Sequence, residues 1–335
     1  MLSALLPEGH AAKCAKCGNQ ASVRVKYAKL NLCKDHFIEY VENRVYKSIK
    51  RYKMLEGTKR ILVALSGGKD SLSLLYILSK LVSEVGLEEI YGFHLDLGIG
   101  NYSQLSRELV DKACRETGVD CIVISLEGVL GYTLPSLVKA TRRPPCSLCG
   151  LIKRYFVNLV AVELGVDAVA LGHHLDDILP FALKDFMVQD LQSLSKMVPV
   201  TPGVKGLVAT RLKLLYEVYE SDLHVYSRLR GIKFVEEQCP YKYADPFKEA
   251  IQRMLSELEE RAPGFKLTFA RNLAKAIPRC VGETANRVVP CTHCGMPSST
   301  GMCSYCRLTL RVFGEPRGPY TRSKVREAVE RYLHG

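Results

Sequence analysis

Nine of the chain's 13 cysteines, together with His36, fall into three groups that have the spacing of metal ligands. Two pairs of ligands on tight turns complete the tetrahedron around a zinc ion and leave no open position for catalysis. The two outer groups supply such pairs: Cys14, Cys17, Cys33 and His36 near the N-terminus, and Cys291, Cys294, Cys303 and Cys306 near the C-terminus. We predict a structural zinc ion in each, and we expect the loss of a ligand to unfold a local module.

The central group contains only Cys146 and Cys149 and is therefore short of ligands. A single C-x2-C motif fits a redox pair, half of a zinc site or part of an iron–sulfur centre. Basic residues surround the pair and are expected to favour the thiolate form: Arg142, Arg143, Lys153 and Arg154.

Four other cysteines are candidates for a third central ligand. Cys114 falls in a predicted helix and Cys121 begins a predicted strand, so we interpret both as buried apolar residues. Cys239 precedes Pro240 in a turn-like segment, which suits a ligand better. Spacing alone leaves Cys280 as an alternative to Cys239.

A glycine-containing loop directly follows the apolar segment Lys59–Leu65. Glycines let the backbone approach a ligand closely, and amides at a helix start bind phosphate. The loop consists of Ser66, Gly67, Gly68, Lys69, Asp70 and Ser71. Its glycine spacing differs from that of the Walker loop and matches the SGGxDS loop of enzymes that split ATP into AMP and pyrophosphate. We predict that it binds ATP and that Asp70 is needed for adenylation.

Polar residues also follow two further predicted strands. His94 and Asp96 come at the end of one, and Gly172 and the pair Asp176-Asp177 follow another. Open parallel sheets bind ligands at the carboxyl ends of their strands. We assign His94, Asp96 and Gly172 to the nucleotide site. An aspartate there can hold Mg²⁺ or transfer a proton, and capping a helix is the alternative role.

These residues require a scaffold, and strand-like and helical segments alternate along the middle of the chain. Such alternation predicts a parallel sheet with helices on both faces. The predicted strands are 59–65, 89–95, 121–126 and 168–171; the predicted helices are 35–52, 72–85, 104–117, 151–164, 181–195, 245–260 and 322–333. We expect three parts: an N-terminal zinc module with a connecting helix (1–50), a catalytic domain (51–285) and a C-terminal zinc module with a terminal helix (286–335).

The net charge of +12 favours a polyanionic partner such as nucleic acid, although a solvated basic surface is the alternative. The first residues lack the pattern of a secretory signal, and no apolar run suggests a membrane span. We therefore expect a cytoplasmic protein, in which cysteine pairs are metal ligands rather than disulfides.

Taken together, these motifs resemble those of the tRNA 2-thiouridine synthetases, a group of PP-loop ATP pyrophosphatases. The resemblance extends over nearly the whole chain. It rests on the order of five features: the N-terminal zinc module, the S-G-G-K-D-S loop, the central C-S-L-C, the downstream C-P-Y at Cys239 and the C-terminal zinc module. It implies an adenine-nucleotide α-hydrolase-like domain between two zinc modules, in a homodimer.

The resemblance also implies a reaction and its cofactors. ATP with Mg²⁺ adenylates the C2 oxygen of a tRNA uridine, and sulfur then displaces AMP to give 2-thiouridine. A [4Fe–4S] cluster would be held by Cys146, Cys149 and Cys239, with one iron left free for sulfide. Lys153 and Asp177 match catalytic residues of the family. The sulfur would come from free sulfide or from a ubiquitin-like carrier with a C-terminal thiocarboxylate.

Two segments depart from the family pattern. His174 replaces an asparagine and Ile178 follows the acidic pair, while Leu214 stands where an R-x-K-P-L segment has proline. They leave open a paralogue with another target nucleotide. The rival enzymes are 2-thiocytidine and lysidine synthetases, of which the first usually carries two C-x2-C pairs and the second needs no cluster. A zinc-containing RNA-binding scaffold with a vestigial nucleotide site is the alternative of a different class.

Overall fold

The N-terminal part is a small antiparallel sheet followed by a long helix. The computed structural model describes residues 3–7, 11–243, 245–280 and 288–334. The elements of this part are β1 (Ser3–Leu5), β2 (Val23–Val25), β3 (Leu30–Leu32) and α1 (Lys34–Arg51). The buried side chains of α1 recur at helical spacing, at Phe37, Val41 and Val45, and this stripe packs against the rest of the molecule.

In the part of the chain that the structure describes, six strands form the central sheet in the order β6-β5-β4-β7-β9-β8. All neighbouring pairs are parallel except β8 and β9. The strands are β4 (Arg60–Leu65), β5 (Glu89–Asp96), β6 (Cys121–Ser125), β7 (Ala168–Ala170), β8 (Val200–Thr201) and β9 (Thr210–Leu212). The chain runs outward from β4 to β6 and then returns to β7 beside β4. The strand order therefore reverses between β4 and β7, where open α/β sheets bind ligands.

Helices cover both faces of this sheet. They are α2 (Lys69–Val85), α3 (Gly100–Thr117), α4 (Leu126–Leu130), α5 (Leu134–Thr141), α6 (Pro145–Leu164), α7 (Leu175–Met187), α8 (Leu191–Leu194), α9 (Glu220–Arg230), α10 (Pro246–Arg261) and α11 (Phe265–Cys280). Alternation along β4 separates two cores: Ile61 and Val63 join α1, α2 and α9, whereas Leu62 faces α6. The predicted α/β fold is thus confirmed, with helices on both faces.

The C-terminal module contains β10 (Val289–Pro290), β11 (Pro297–Ser298), α12 (Ser304–Phe313) and α13 (Gly318–His334). Its buried side chains belong to the same core as those of α6. Tyr155 of α6 stacks on Tyr305 with ring centroids 3.8 Å apart, and Glu163 of α6 accepts hydrogen bonds from Arg322 and Arg326 of α13. The module is therefore anchored along most of the length of α6.

Helix α6 begins earlier than predicted and is apolar over much of its length. Pro144 and Pro145 begin it six residues before the predicted Leu151, so that Cys146 and Cys149 lie in its first turns. Among the helices of the described residues, only α6 is long and apolar enough to cross a membrane, as judged by length and composition alone. It packs against β5, β7 and α13, and this position accounts for its apolar sequence.

Two further expectations need correction. Cys114 at the end of α3 and Cys121 at the start of β6 form a disulfide, so they are not simply apolar core residues. The helix predicted over 181–195 begins earlier, at Leu175, and ends at Met187, with the separate short α8 after it. Helices α4, α5, α9, α11 and α12 lie in segments for which we predicted no helix.

Candidate functional site

The loop between β4 and α2 is held by hydrogen bonds among its own residues. Ser71 Oγ accepts from Ser66 N at 3.1 Å, lies 3.1 Å from Ser66 Oγ and donates to Gly68 O at 3.1 Å. Gly67 O accepts from Val235 N at 3.0 Å. The amides at the start of a 17-residue helix therefore face a preformed loop, which is an arrangement that binds phosphate.

At Gly67 and Gly172 the backbone lies so close to neighbouring residues that there is no room for a side chain. Gly67 has φ +81°, and a Cβ there would lie 3.0 Å from Cα of Ser106. A Cβ on Gly172, after β7, would lie 3.0 Å from Ser71 N. A side chain at either position would displace the phosphate loop. This contact places the segment after β7 against the loop.

The side chains of Lys69 and Asp70 lie at the start of α2. Lys69 Nζ lies 3.1 Å from Asp70 Oδ1 and 3.0 Å from Glu220 Oε1 of α9. Asp70 and Glu220 raise the pKa of Lys69 above its ordinary value, although burial opposes the rise. Lys69 is thus a fixed positive charge beside the loop. The sequence did not indicate Glu220 as its partner.

The acidic pair after β7 divides into two roles. Asp177 Oδ2 lies 3.4 Å from Nε2 of His174, which in turn lies 3.8 Å from Asp70 Oδ2. Asp176 instead accepts from Lys266 Nζ at 2.7 Å and from Glu220 N at 2.8 Å, at the start of α9. Asp177 therefore belongs with the phosphate loop, whereas Asp176 joins α7, α9 and α11. His174 replaces the family asparagine at this site, while Ile178 and Leu214 are buried in the core.

The carboxyl end of β5 supplies His94 and Asp96. His94 is buried, its Nδ1 lies 3.0 Å from Leu65 O, and its Nε2 has no partner within the described residues. Burial lowers the pKa of His94, so its neutral form is favoured. Asp96 Oδ1 accepts from Gly98 N at 2.8 Å. An orphaned, buried ring nitrogen is a group that a ligand would satisfy.

A cavity of about 360 Å³ opens beside the phosphate loop. We call it the cysteine cavity; its lining includes Ser66, His94, Cys146, Cys149, Lys153 and Cys239. Apolar residues of β5 and the segment after it, among them Phe93, Leu97 and Ile99, form much of its wall. The structure therefore brings the central cysteines, the lysine and the start of the phosphate loop to one space. Asp70, Asp96, Gly172 and Asp177 are not part of this lining.

The three cysteines are held in different ways. Cys146 Sγ donates to Tyr241 O and accepts from Tyr243 N, both at 3.4 Å, so the segment after Cys239 folds over the start of α6. Burial raises the pKa of Cys149, despite the opposing charges of Lys153 and Arg154. Lys153 and Arg154 do favour the thiolate of Cys149, as expected, but burial outweighs their effect. The side chain of Cys280 lies outside the described residues.

Two residues that we did not single out, Tyr102 of α3 and Lys242, also line the cysteine cavity. Tyr102 belongs to no recognisable sequence motif, so nothing in the sequence indicated its position in the cavity. Lys242 follows the Cys239-Pro240-Tyr241 segment directly, so its position next to a candidate ligand was the available signal.

The two outer cysteine groups differ from the central one in their spacing. In each outer group, the four predicted ligand atoms all lie within 4.8 Å of one another. No other candidate set of metal ligands is this compact among the residues that the structure describes. Neighbouring sulfurs around a tetrahedral zinc ion with Zn–S bonds of about 2.3 Å lie roughly 3.8 Å apart. Cys17 and Cys33 are 3.9 Å apart, and Cys294 and Cys303 are 3.7 Å apart.

The electrostatic environment of the outer groups suits a cation. Burial opposes ionisation of Cys14, but backbone N–H groups of Cys33, Cys17 and Lys16 lower its pKa to about 6. In the C-terminal group, hydrogen bonds from Cys303 and Cys306 lower the pKa of Cys294 below its ordinary value. A thiolate is thus available in each group for a metal ion.

Comparison with known families gives two matches along the chain. Residues 38–244, more than half of the chain, match the family described as the PP-loop domain. Residues 13–38 match the N-terminal LIM domain of 2-thiouridine synthetase TtuA. The second match contains the whole N-terminal cysteine group, and the first contains the phosphate loop and the three cysteines of the cavity.

Individual proteins are similar over almost the whole chain. The tRNA-5-methyluridine(54) 2-sulfurtransferase of Pyrococcus horikoshii is 38% identical over 88% of this chain and 93% of its own length. The enzyme of the same name from Thermus thermophilus is 38% identical over 94% of both chains. The U34-tRNA thiolase NcsA from Methanococcus maripaludis, solved with its [4Fe–4S] cluster, superposes with a TM-score of 0.72 at 26% identity, over 89% of this chain and 95% of its own.

Proposed function

We propose that this chain is an ATP-dependent tRNA thiolation enzyme. It belongs to the PP-loop family that includes the tRNA 2-sulfurtransferases. It would replace the C2 oxygen of a uridine in tRNA with sulfur. One observation carries the proposal: the central cysteines, Lys153 and the first serine of the phosphate loop line a single cavity. The residues that would activate the uridine oxygen and those that would deliver the sulfur thus line the same cavity.

The first step would be adenylation. The uridine O2 attacks the α-phosphorus of ATP, the bond to the β-phosphate oxygen breaks, and pyrophosphate leaves. The amides after Gly68 and the ammonium of Lys69 would hold the phosphates and stabilise the leaving charge. Asp70 and Asp177, whose carboxylates both lie within 4.0 Å of Nε2 of His174, are the residues that would hold Mg²⁺.

In the second step sulfur attacks C2, the C2–O2 bond breaks, and AMP leaves with the former uridine oxygen. Lys153 in the cysteine cavity would stabilise the negative charge that develops on this group. The unpaired Nε2 of His94 is available to the nucleotide or the base. The apolar wall of the cavity would exclude water, which would otherwise hydrolyse the adenylated base.

The cavity fits an iron–sulfur cluster better than a single ion. It presents three thiols, whose sulfurs do not all lie within 4.8 Å of one another as the ligand atoms of each outer group do. Wider spacing suits a cubane site, in which each sulfur binds a different iron. We propose Cys146, Cys149 and Cys239 as the ligands. When bound, the cluster would supply an iron that is free of protein ligands and can hold sulfide. Zinc is proposed for the two outer groups, on the sulfur spacing given above.

The target nucleotide is the finer part of the proposal. The relatives named for 5-methyluridine 54 are 38% identical to this chain, whereas the U34 thiolase is 26% identical. This difference supports uridine 54 in the T-loop over the wobble position. We also propose a cytoplasmic location, and a thiocarboxylated carrier or free sulfide as the source of sulfur. We propose a homodimer, for which the exposed side chains of Phe186, Met187 and Val188 offer an apolar surface.

The test is anaerobic reconstitution of the full chain with iron, sulfide and zinc, followed by incubation with ATP, Mg²⁺ and unmodified tRNA. We expect AMP and pyrophosphate in step with 2-thiouridine, detected by mass spectrometry of nucleosides and located by nuclease mapping. An RNA-dependent formation of 2-thiocytidine or lysidine would favour a rival enzyme, and tRNA binding without ATP turnover would favour the scaffold. Sulfur at position 34 would refute the T-loop assignment alone.

A further inference from the structure

A basic groove runs between the start of α6 and helix α12 of the C-terminal module. Its inner part, of about 360 Å³, is lined by Arg143, Arg154 and Arg211, and its outer part, of about 270 Å³, by Arg307 and Arg311. Arg143, Leu151 and Ser304 line both parts, so the two are continuous. We call this feature the arginine groove.

The charges of the arginine groove are not neutralised by the protein. Among the described residues, no acidic side chain lines it, and none comes within 4.0 Å of its five guanidinium groups. Elsewhere in the molecule Arg271, Arg322 and Arg326 are paired with glutamates. The lack of counter-charges is therefore a local property of this groove.

The inner arginines are also kept close together at a free-energy cost. Arg211 is half-buried, and burial together with the like charge of Arg154 lowers its pKa. A bound anion would remove this unfavourable interaction. At the outer end Arg307 is held in place, since it donates to Thr300 Oγ1 at 2.6 Å and to Met302 O at 2.8 Å. A fixed guanidinium loses less entropy when it binds a phosphate.

The groove lies next to the cysteine cavity. Ser147, between the two central cysteines in the first turns of α6, lines the arginine groove, while Cys146 and Cys149 line the cavity. Arg154 follows Lys153 of the cavity and acts on the pKa of Cys149. A chain bound in the groove would therefore continue directly to the place where sulfur is transferred.

We propose that the arginine groove binds the phosphodiester backbone of the substrate RNA beside the target nucleotide. The proposal rests on the proposed function and names its substrate-positioning residues. Planar guanidinium forks match phosphate oxygens, and several along one path suit a repeating polyanion. Contacts to the backbone fix the position of the strand without reading its sequence, so they would present the neighbouring base to the cysteine cavity.

The experiment measures the affinity of the reconstituted chain for an unmodified tRNA transcript over a range of salt concentrations. We expect Arg211→Gln, Arg307→Gln and Arg311→Gln each to weaken binding by roughly tenfold and to reduce the slope of log K against log[salt] by about one. ATP affinity and iron content should stay unchanged, and thiolation should recover at saturating tRNA. Arg326→Gln is the matched control, because its charge is already neutralised by Glu163.

Two results would overturn the assignment. Wild-type affinity and salt slope in all three groove variants would mean that RNA does not contact it. Intact tRNA binding with loss of transfer from a thiocarboxylated carrier, but not from free sulfide, would assign the groove to the carrier. If the wild-type chain neither binds nor thiolates tRNA, the proposed function fails together with the groove, and the control variant shows the same failure.

Discussion

Asp176 and Asp177 are adjacent in the sequence, but their side chains have different partners. Asp177 lies with His174 beside the phosphate loop, whereas Asp176 accepts from buried Lys266 and from the first amide of α9. We expect Asp177→Asn to lower ATP-dependent turnover at least tenfold with little change in stability. Asp176→Asn should instead lower the free energy of unfolding by about 1.5–3 kcal/mol, because it weakens hydrogen bonds to a charged partner.

Steady-state AMP formation and urea unfolding of both variants separate the two roles. Glu249 is an acidic residue in the first turn of α10 that forms no salt bridge with the described residues, and Glu249→Gln serves as the control. An Asp177→Asn enzyme with wild-type turnover would exclude the residue from magnesium binding and from proton transfer.

The assignment of the third central ligand predicts unequal effects for two cysteines. Cys239→Ala should abolish thiolation and lower the iron content of anaerobically prepared protein, because Cys239 lines the cysteine cavity. The fold should remain, since the side chain is only partly buried. Cys280→Ala should retain both iron and activity. Iron and labile sulfide analysis with visible absorption makes the comparison, and full iron content in the Cys239→Ala protein would refute the ligand set.

Individual site residues could be predicted where the motif itself contains them. The phosphate loop and both outer cysteine groups needed no more than spacing, because their ligands lie close in sequence. Cys239 is 90 residues beyond Cys149, and only the family resemblance favoured it over Cys280. Glu220, the partner of Lys69, carries no signal, since a single glutamate in the first turn of a helix is common. The raised pKa of Cys149 depends on burial, which the charged neighbours in the sequence do not reveal.

At the scale of elements, α6 connects the two kinds of site. Its first turns carry Cys146 and Cys149, and its later turns carry Tyr155 and Glu163, which hold the C-terminal module. The sequence predicted this helix only from Leu151, because two prolines and two cysteines obscure its start. Proline is favourable in a first turn, where its missing N–H has no partner to lose. The alternating strands and helices before it were predicted because each has its own hydrophobic period.

Glu217 links α1 and α11 on the other side of the sheet. Its side chain is 2% exposed and accepts from Arg271 of α11 and from Tyr52 after α1, while Arg51 of α1 lies 3.5 Å away. Burial opposes its ionisation, but Arg271 and Tyr52 outweigh this effect and hold the pKa of Glu217 below its ordinary value. A lowered folded-state pKa stabilises the protein above the unfolded pKa, and the stabilisation is lost as pH falls through the folded value.

We therefore expect Glu217→Gln to lower the free energy of unfolding by about 2 kcal/mol at pH 7. The difference from wild type should shrink as pH falls below about 4.3, the ordinary pKa of glutamate. Urea unfolding at pH 7, 5 and 3.5 measures it. Glu56→Gln removes an exposed pair with Lys53 and should change little at any of these values. A difference that stays constant with pH would show that the carboxylate charge of Glu217 does not contribute.

For the molecule as a whole, the C-terminal module is part of a shared core rather than an attachment. Cys291, Cys294, Cys303 and Cys306 are all buried, and they pack in the same core as Leu148, Ile152 and Phe156 of α6. The sequence suggested a self-contained module because its ligands are close together. It could not reveal that Tyr155 and Tyr305 stack, since 150 residues separate them. The N-terminal group is less enclosed, with Cys17 exposed.

This difference predicts unequal consequences of losing the two proposed zinc sites. Cys303→Ala should release one zinc ion, lower the unfolding temperature of the main transition and lower the iron content, because α6 loses packing along the face that positions its first turns. Cys17→Ala should also release one zinc ion, but with a smaller shift of the main transition, since its site lies at the surface. Zinc and iron analysis together with calorimetry tests both variants. Limited proteolysis of residues 51–280 shows whether unfolding extends from the metal site into the catalytic domain. An unchanged main transition in the Cys303→Ala protein would mean that the module unfolds locally, and that the packing of Tyr305 on α6 does not stabilise the catalytic domain.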